Sequence, residues 1–127
     1  MKLTLLADEM NFIIHWYVDG LHQIHEDCRG QIGSLMTLGK GAAISSSNKM
    51  KCNTRSYTET ELISLHDKLP DIVWTGYFMK CQGYDIDECV VFQDNMSTLS
   101  LGEKWLDLII KADKAYQSKV LLNQRLL

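Results

Sequence analysis

From Phe12 to Asp19 the chain alternates between two faces: Ile14, Trp16 and Val18 fall on one side, Ile13, His15, Tyr17 and Asp19 on the other. That period of two predicts a half-buried strand over residues 12–19. Leu3, Leu5 and Leu6 upstream offer only weak pairing at a sheet edge. Residues 31–38 and 41–47 predict two short strands around Gly39-Lys40-Gly41, a tight-turn sequence. The second of these carries Ser45, Ser46 and Ser47, so one face is expected to be wet or beside a ligand. Asn48 to Arg55 is expected to form a basic loop.

The period then lengthens. Ser56-Tyr57-Thr58-Glu59 matches a capping box, with Ser56 as N-cap, and Leu62, Leu65, Leu69 and Val73 follow at helical spacing. Pro70 interrupts the stripe and predicts a kink or a meeting of two helices. Trp74, Tyr77 and Phe78 are expected in the core, and Gly83 is a natural stop. Glu88 to Asp94 reads as a buried strand ending on an acid. Asn95 to Leu101 can open another helix. From Gly102 on, Trp105, Leu106, Leu108, Ile109, Ala112, Ala115 and Tyr116 predict an amphipathic helical tail. The expected division is therefore a domain over 1–101 and a divergent helical tail over 102–127.

A chain of 127 residues, 46% hydrophobic and 23% charged, suits one core. No apolar run approaches the roughly 18 residues that span a bilayer, and the N-terminus turns acidic too soon for a signal peptide, so no membrane partner is expected and the location is expected to be intracellular, cytoplasmic or nuclear. Cys28, Cys52, Cys81 and Cys89 form no C-x-x-C pair and are expected to be free and mostly buried. His22, His25 and Cys28 have a suggestive spacing but lack a second ligand pair; a polar surface loop is the better reading. Net charge is −3, yet Arg29 to Thr58 holds Arg29, Lys40, Lys49, Lys51 and Arg55 with no acid. Such a block either tracks a phosphate backbone or is an ordinary solvated hairpin.

Asp19 ends the first strand before Gly20. It either opens a turn or does chemistry, since aspartate forms strands poorly and places a charge beside an apolar core. Two further acids bear on this choice. Glu61 lies in the first turn of the predicted helix and Asp94 ends the later strand. If the two strands lie side by side, in parallel, the three carboxylates converge. Clustered acids repel unless cations lie between them, and hard oxygen ligands suit Mg²⁺. Carboxylates spread beyond about 10 Å would be too far apart for a two-ion site, whose metals lie about 4 Å apart.

The segments YVDGL (17–21), TETELISL (58–65) and FQDNMS (92–97), in that order, resemble the ribonuclease H domain of copia-type retrotransposon polyproteins. Between them, GQIGSLMTLGKGAAISSSNKMKCNTRSYTETEL (30–62) is similar to that family's hairpin, serine strand and lysine-rich loop, and LPDIVWTGYFMKCQGY (69–84) to its helix before the fourth strand. The likeness covers roughly residues 4–100. It implies an α/β ribonuclease H-like fold: a mixed five-stranded sheet with the first three strands antiparallel, flanked by helices; the last strand and C-terminal part are where this chain is expected to depart from it. It implies that Asp19, Glu61 and Asp94 are catalytic, metal-binding acids of a two-metal endoribonuclease. The ions would be two Mg²⁺, with Mn²⁺ as alternative, and the substrate the RNA strand of an RNA–DNA hybrid in reverse transcription. Lys49, Lys51, Asn53, Arg55, Asn95 and Ser97 would contact the nucleic acid. The reverse transcriptase domain of the same polyprotein would be a partner if the chain is a fragment.

The family's basic segment with a histidine and a fourth carboxylate has no counterpart after Leu101; Asp107 and Asp113 are acids outside any matching motif. That departure leaves a second expectation open, a degenerate or co-opted relic that keeps the fold and nucleic-acid binding. A small metal-binding regulator built on His22, His25 and Cys28 is the third.

Overall fold

The computed structural model of the chain describes residues 6–7, 13–86, 88–95, 98, 104 and 119–124. The elements are β1 (Leu6–Ala7), β2 (Ile13–Leu21), β3 (Arg29–Thr37), β4 (Gly39–Lys40), β5 (Ile44–Asn53), α1 (Tyr57–Cys81), β6 (Glu88–Gln93) and β7 (Lys119–Gln124). Five strands form one mixed sheet in the order β5-β3-β2-β6-β7. β2, β3 and β5 are antiparallel neighbours, while β6 runs parallel to both β2 and β7. The fold class is α/β. β1 and β4 form a separate two-stranded pair.

The alternation in β2 has the expected consequence. Ile14, Trp16 and Val18 are buried against α1, where Leu65, Leu69 and Ile72 meet them together with Met36, Ile86, Cys89 and Val91. β6 is buried because it lies inside the sheet with a strand on each side.

α1 begins as expected. Ser56 Oγ accepts from the Glu59 amide at 3.1 Å, and the Glu59 carboxylate accepts from the Arg55 amide at 2.6 Å. It runs as one helix through Pro70, so of the two expectations there the meeting of two helices is overturned. It ends in a Schellman turn: Gly83, at φ +90°, donates to the Lys80 carbonyl, and Tyr84 donates to that of Met79. Its buried stripe includes Thr60, Glu61, Ser64, Lys68, Thr75 and Gly76 beside the leucines. Trp74 and Phe78 lie off that stripe. They are exposed and stack on each other at 5.1 Å, contrary to the expected core placement; Tyr77 packs against the core as expected.

Three further expectations change. Asn48 to Asn53 is strand, not loop, because β5 keeps pairing with β3 through Ile32↔Asn48, Gln31↔Lys49 and, past an irregularity, Arg29↔Asn53. The tail expected to be helical from residue 102 contains β7, which adds the fifth strand; the expected apolar face over 105–116 lies outside the described residues. Cys28, Cys52 and Cys81 are exposed, and only Cys89 is buried, where desolvation pushes its thiol up to about 12. Among the described residues no helix is long and apolar enough to cross a membrane.

Candidate metal centre and nucleic-acid interface

Parallel pairing of β2 with β6 sets the site. The last paired positions are Tyr17↔Phe92, whose rings stack at 4.8 Å. Two residues further on stand Asp19, still within β2, and Asp94, just past the end of β6, both exposed. α1 starts beside this sheet end and supplies Glu61, which is buried. One carboxylate oxygen from each of Asp19, Glu61 and Asp94 lies within 4.8 Å of the others. Among the described residues this is the only such group of acids, histidines or cysteines.

Glu61 is held at both oxygens. Oε1 accepts from the Gly20 amide at 3.2 Å, and Oε2 accepts from Gln93 Nε2 at 2.6 Å. The Gln93 amide also donates to the Glu61 carbonyl at 3.2 Å. Gln93 is buried, and its Oε1 has no partner. Burial pushes the Glu61 carboxyl up to about 7; the bonds from Gln93 and Gly20 oppose the rise, and the charges of Asp19 and Asp94 add to it. The donor set is all oxygen and close together, and its three residues could hold a hard divalent cation.

A pH dependence follows for the metal-free protein. In the unfolded chain Glu61 titrates near 4.5, and in the folded chain near 7. A carboxyl raised on folding stabilises the fold fully below the lower value and loses that contribution as pH climbs through the upper one. With EDTA present, the melting temperature of wild type relative to Glu61→Gln is expected to fall between pH 5 and 7.5. A constant difference across that range would show that Glu61 ionises freely.

A cavity of about 520 Å³ opens beside the acids, lined by Tyr17, Asp19, Gly33, Leu35, Phe92 and Asp94 among others. Lys49, at the register position of Gln31 on β5, is exposed, as are Lys51, Asn53 and Arg55. Asp27, just outside the acid-free block, folds back on it: its carboxylate pairs with Lys49 at 2.7 Å and with Arg29 at 3.4 Å. The Lys49 ammonium holds Asp27 below the usual carboxylate range. No carboxylate among the described residues pairs with Lys51 or Arg55. Asn95 accepts from the Thr98 amide at 3.3 Å, so its side chain caps the chain there; Ser97 lies outside the described residues.

No protein-family model and no curated protein matches this chain.

Among the described residues His22, His25 and Cys28 do not converge as a ligand group. His22 Nδ1 bonds the Thr54 and Thr60 hydroxyls at 2.9 Å, and His25 Nε2 bonds Gln31 at 2.8 Å. Sequence reasoning missed Gln93 and the Gly20 amide as the groups that fix Glu61. Gln93 carried one signal: a glutamine at an inward position of a buried strand requires a partner.

Proposed function

We propose that the chain is a ribonuclease H-like nuclease of the copia retrotransposon type, which hydrolyses the RNA strand of RNA–DNA hybrids. The observation that carries this reading is the convergence of Asp19, Glu61 and Asp94 from two strands and a helix to within 4.8 Å. These three residues would hold two Mg²⁺ ions, or Mn²⁺. When bound, such ions make a water nucleophilic near neutral pH and stabilise the leaving oxygen. The protein's own part is positioning. Gly20 and Gln93 fix both Glu61 oxygens, so that carboxylate needs no rearrangement to serve as a ligand. Asp19 and Asp94 stand exposed toward the cavity, where a phosphodiester has access.

The hybrid's backbone would lie along the β5 side, with Lys51, Asn53 and Arg55 as contacts and Lys49 shared with Asp27. Replacing Lys51 or Arg55 with alanine is expected to flatten the dependence of log affinity on log salt by roughly 0.7–0.9 for each phosphate that the variant leaves unneutralised. Lys49→Ala is expected to change it less. Unchanged slopes in the Lys51 and Arg55 variants would place the binding surface elsewhere.

The deciding experiment is cleavage of a labelled hybrid with Mg²⁺ and with EDTA. The second reading, a relic that retains hybrid binding without cleavage, draws on the lack of any histidine after Leu101. Salt-sensitive binding with no Mg²⁺-dependent cleavage would select it. On the nuclease reading the expected setting is intracellular, and a reverse transcriptase domain of the same polyprotein is the expected neighbour if the chain is a fragment.

A further inference from the structure

The carboxylate of Asp27 lies between two cations from neighbouring strands. It accepts from Lys49 Nζ of β5 at 2.7 Å and from Arg29 Nε of β3 at 3.4 Å. The loop holds it there: Asp27 Oδ1 accepts from the Arg29 amide at 3.3 Å, and the His25 amide donates to the Arg29 carbonyl at 3.2 Å. Cys28 closes the turn in the left-handed region, at φ +60°. A side chain tied to its own backbone loses little further freedom when it pairs with the cations. Two cations face one carboxylate, so the cluster keeps a net positive charge. Among the described residues no other carboxylate pairs with Arg29 or Lys49. Arg29 and Lys49 are each 45% exposed and Asp27 44%, so water screens both pairs and either is readily exchanged.

The ladder places this cluster at the sheet end that carries the acids. Asp19, Gly33 and Ser47 stand in register across β2, β3 and β5. Leu21, Gln31 and Lys49 form the row two residues on, on the same face. Strand and residue spacings then put the Lys49 Cα about 12 Å from that of Asp19. A nucleic-acid strand covers that span in about three or four nucleotides, at roughly 3.4 Å of axis each. The floor between them is low and fixed. A Cβ at Gly33 would meet only the Asp19 carbonyl, at 3.8 Å. Gln31 bonds His25 at 2.8 Å and donates to Ser47 at 2.7 Å.

We propose that Arg29 and Lys49 form a backbone-phosphate subsite of the nucleic-acid interface, which Asp27 occupies in the free chain and yields on binding. The inference rests on the nucleic-acid reading above; it adds Arg29 as a contact and Asp27 as an internal competitor. A phosphate brings charge on several oxygens and engages both cations at once. Asp27 reaches them through one oxygen, and Arg29 only at Nε. Because one ion pair is exchanged for another, Lys49 adds less to affinity than a cation that is free beforehand. Removing the Asp27 charge restores its full contribution.

The test is a mutant cycle on the full chain, binding a fluorescein-labelled RNA–DNA hybrid in EDTA and read as anisotropy over a range of NaCl. Asp27→Asn removes the charge and keeps an acceptor for the Arg29 amide. It is expected to tighten binding about threefold or more at low salt. It should also steepen the dependence of log affinity on log salt by roughly 0.7–0.9, the slope of one phosphate. In the Asp27→Asn background, Lys49→Ala and Arg29→Gln are each expected to flatten that slope again, and Lys49→Ala to cost about threefold more affinity than in wild type. Glu26→Gln makes the same change in charge one residue away, with no ion pair to Arg29 or Lys49, and is expected to leave the Lys49→Ala effect as in wild type. Equal gains from Asp27→Asn and Glu26→Gln would overturn the subsite while leaving hybrid binding in place. So would one cost of Lys49→Ala in both backgrounds, or a slope unmoved by Arg29→Gln. Wild type and Asp27→Asn both failing to bind the hybrid would overturn the nucleic-acid reading, and this subsite with it.

Discussion

Asp94→Asn is expected to lower Mg²⁺-dependent hydrolysis of an RNA–DNA hybrid about a thousand-fold or more while leaving the metal-free fold as stable as before, or slightly more so. The substitution removes one of three carboxylates whose oxygens lie within 4.8 Å of one another. Metal ions supply several kcal/mol of charge stabilisation in such reactions, and each ~1.4 kcal/mol is tenfold in rate. In the metal-free protein the same charge is a liability, because it repels Asp19 and helps to raise Glu61. Asparagine keeps the shape and relieves that repulsion. Since Asp94 is exposed, the gain in stability is small. Wild type is expected to melt higher in millimolar Mg²⁺ than in EDTA, because a ligand bound only by the folded state stabilises it, and the variant is expected to respond less. A destabilised variant, with no Mg²⁺ response in either protein, would assign Asp94 a structural role.

The second large effect is expected at Gly20. A Cβ placed there would stand 2.5 Å from Ser64 Oγ, 3.0 Å from Thr60 Cγ2 and 3.2 Å from the Thr60 carbonyl oxygen. Ser64 cannot move away cheaply, because its hydroxyl donates to that same carbonyl at 2.8 Å. Gly20→Ala therefore forces β2 and α1 apart, at a cost of roughly 1–3 kcal/mol. For a domain of this size that corresponds to a melting temperature lower by about 4–12 °C. The same separation lengthens the bond from the Gly20 amide to Glu61, so hydrolysis should fall beyond what the loss of folded protein explains. Gly33→Ala is the control: its Cβ would meet only the Asp19 carbonyl, at 3.8 Å. Adding Ser64→Ala to Gly20→Ala removes the nearest clash and is expected to restore part of the stability. Equal melting temperatures for the Gly20 and Gly33 variants would show that the helix and strand separate without strain.

What the sequence made legible was what periodicity and capping control. Alternation in Ile13–Asp19, the serine cap at Ser56 and the apolar run in β6 each carry a local signal strong enough to place an element. The parallel adjacency of β2 and β6 followed from requiring three acids to meet. β5 was less legible because it is an edge strand with one buried residue in its polar half, Met50. Its pairing is decided by the ladder to β3, and polar, lysine-bearing edges are how sheets avoid further pairing. Trp74 and Phe78 misled because aromatic content outweighed phase: the helix buries threonine, serine and lysine on its sheet side and turns two large rings outward. Asp27 escaped notice because the charge block was delimited along the chain, whereas Asp27 meets Lys49 across a loop.

The sheet order also dictates when the acids can meet. β2, β3 and β5 are joined by short connections, so Asp19 and the adjoining face can form from neighbouring chain, and α1 follows directly with Glu61. β6 is different: Ile13 pairs with Glu88, across the whole antiparallel unit and the helix. Closing so long a loop is slow, because its entropy must be lost before the contacts reward it. Asp94 and Gln93 therefore arrive together and late, on the strand whose docking also covers Ile14 and Trp16. During synthesis, Glu61 would sit beside Asp19 as a partly solvated carboxyl until that docking occurs. The same step that completes the core completes the acid cluster, so a nascent or partly folded chain does not yet carry the assembled cluster.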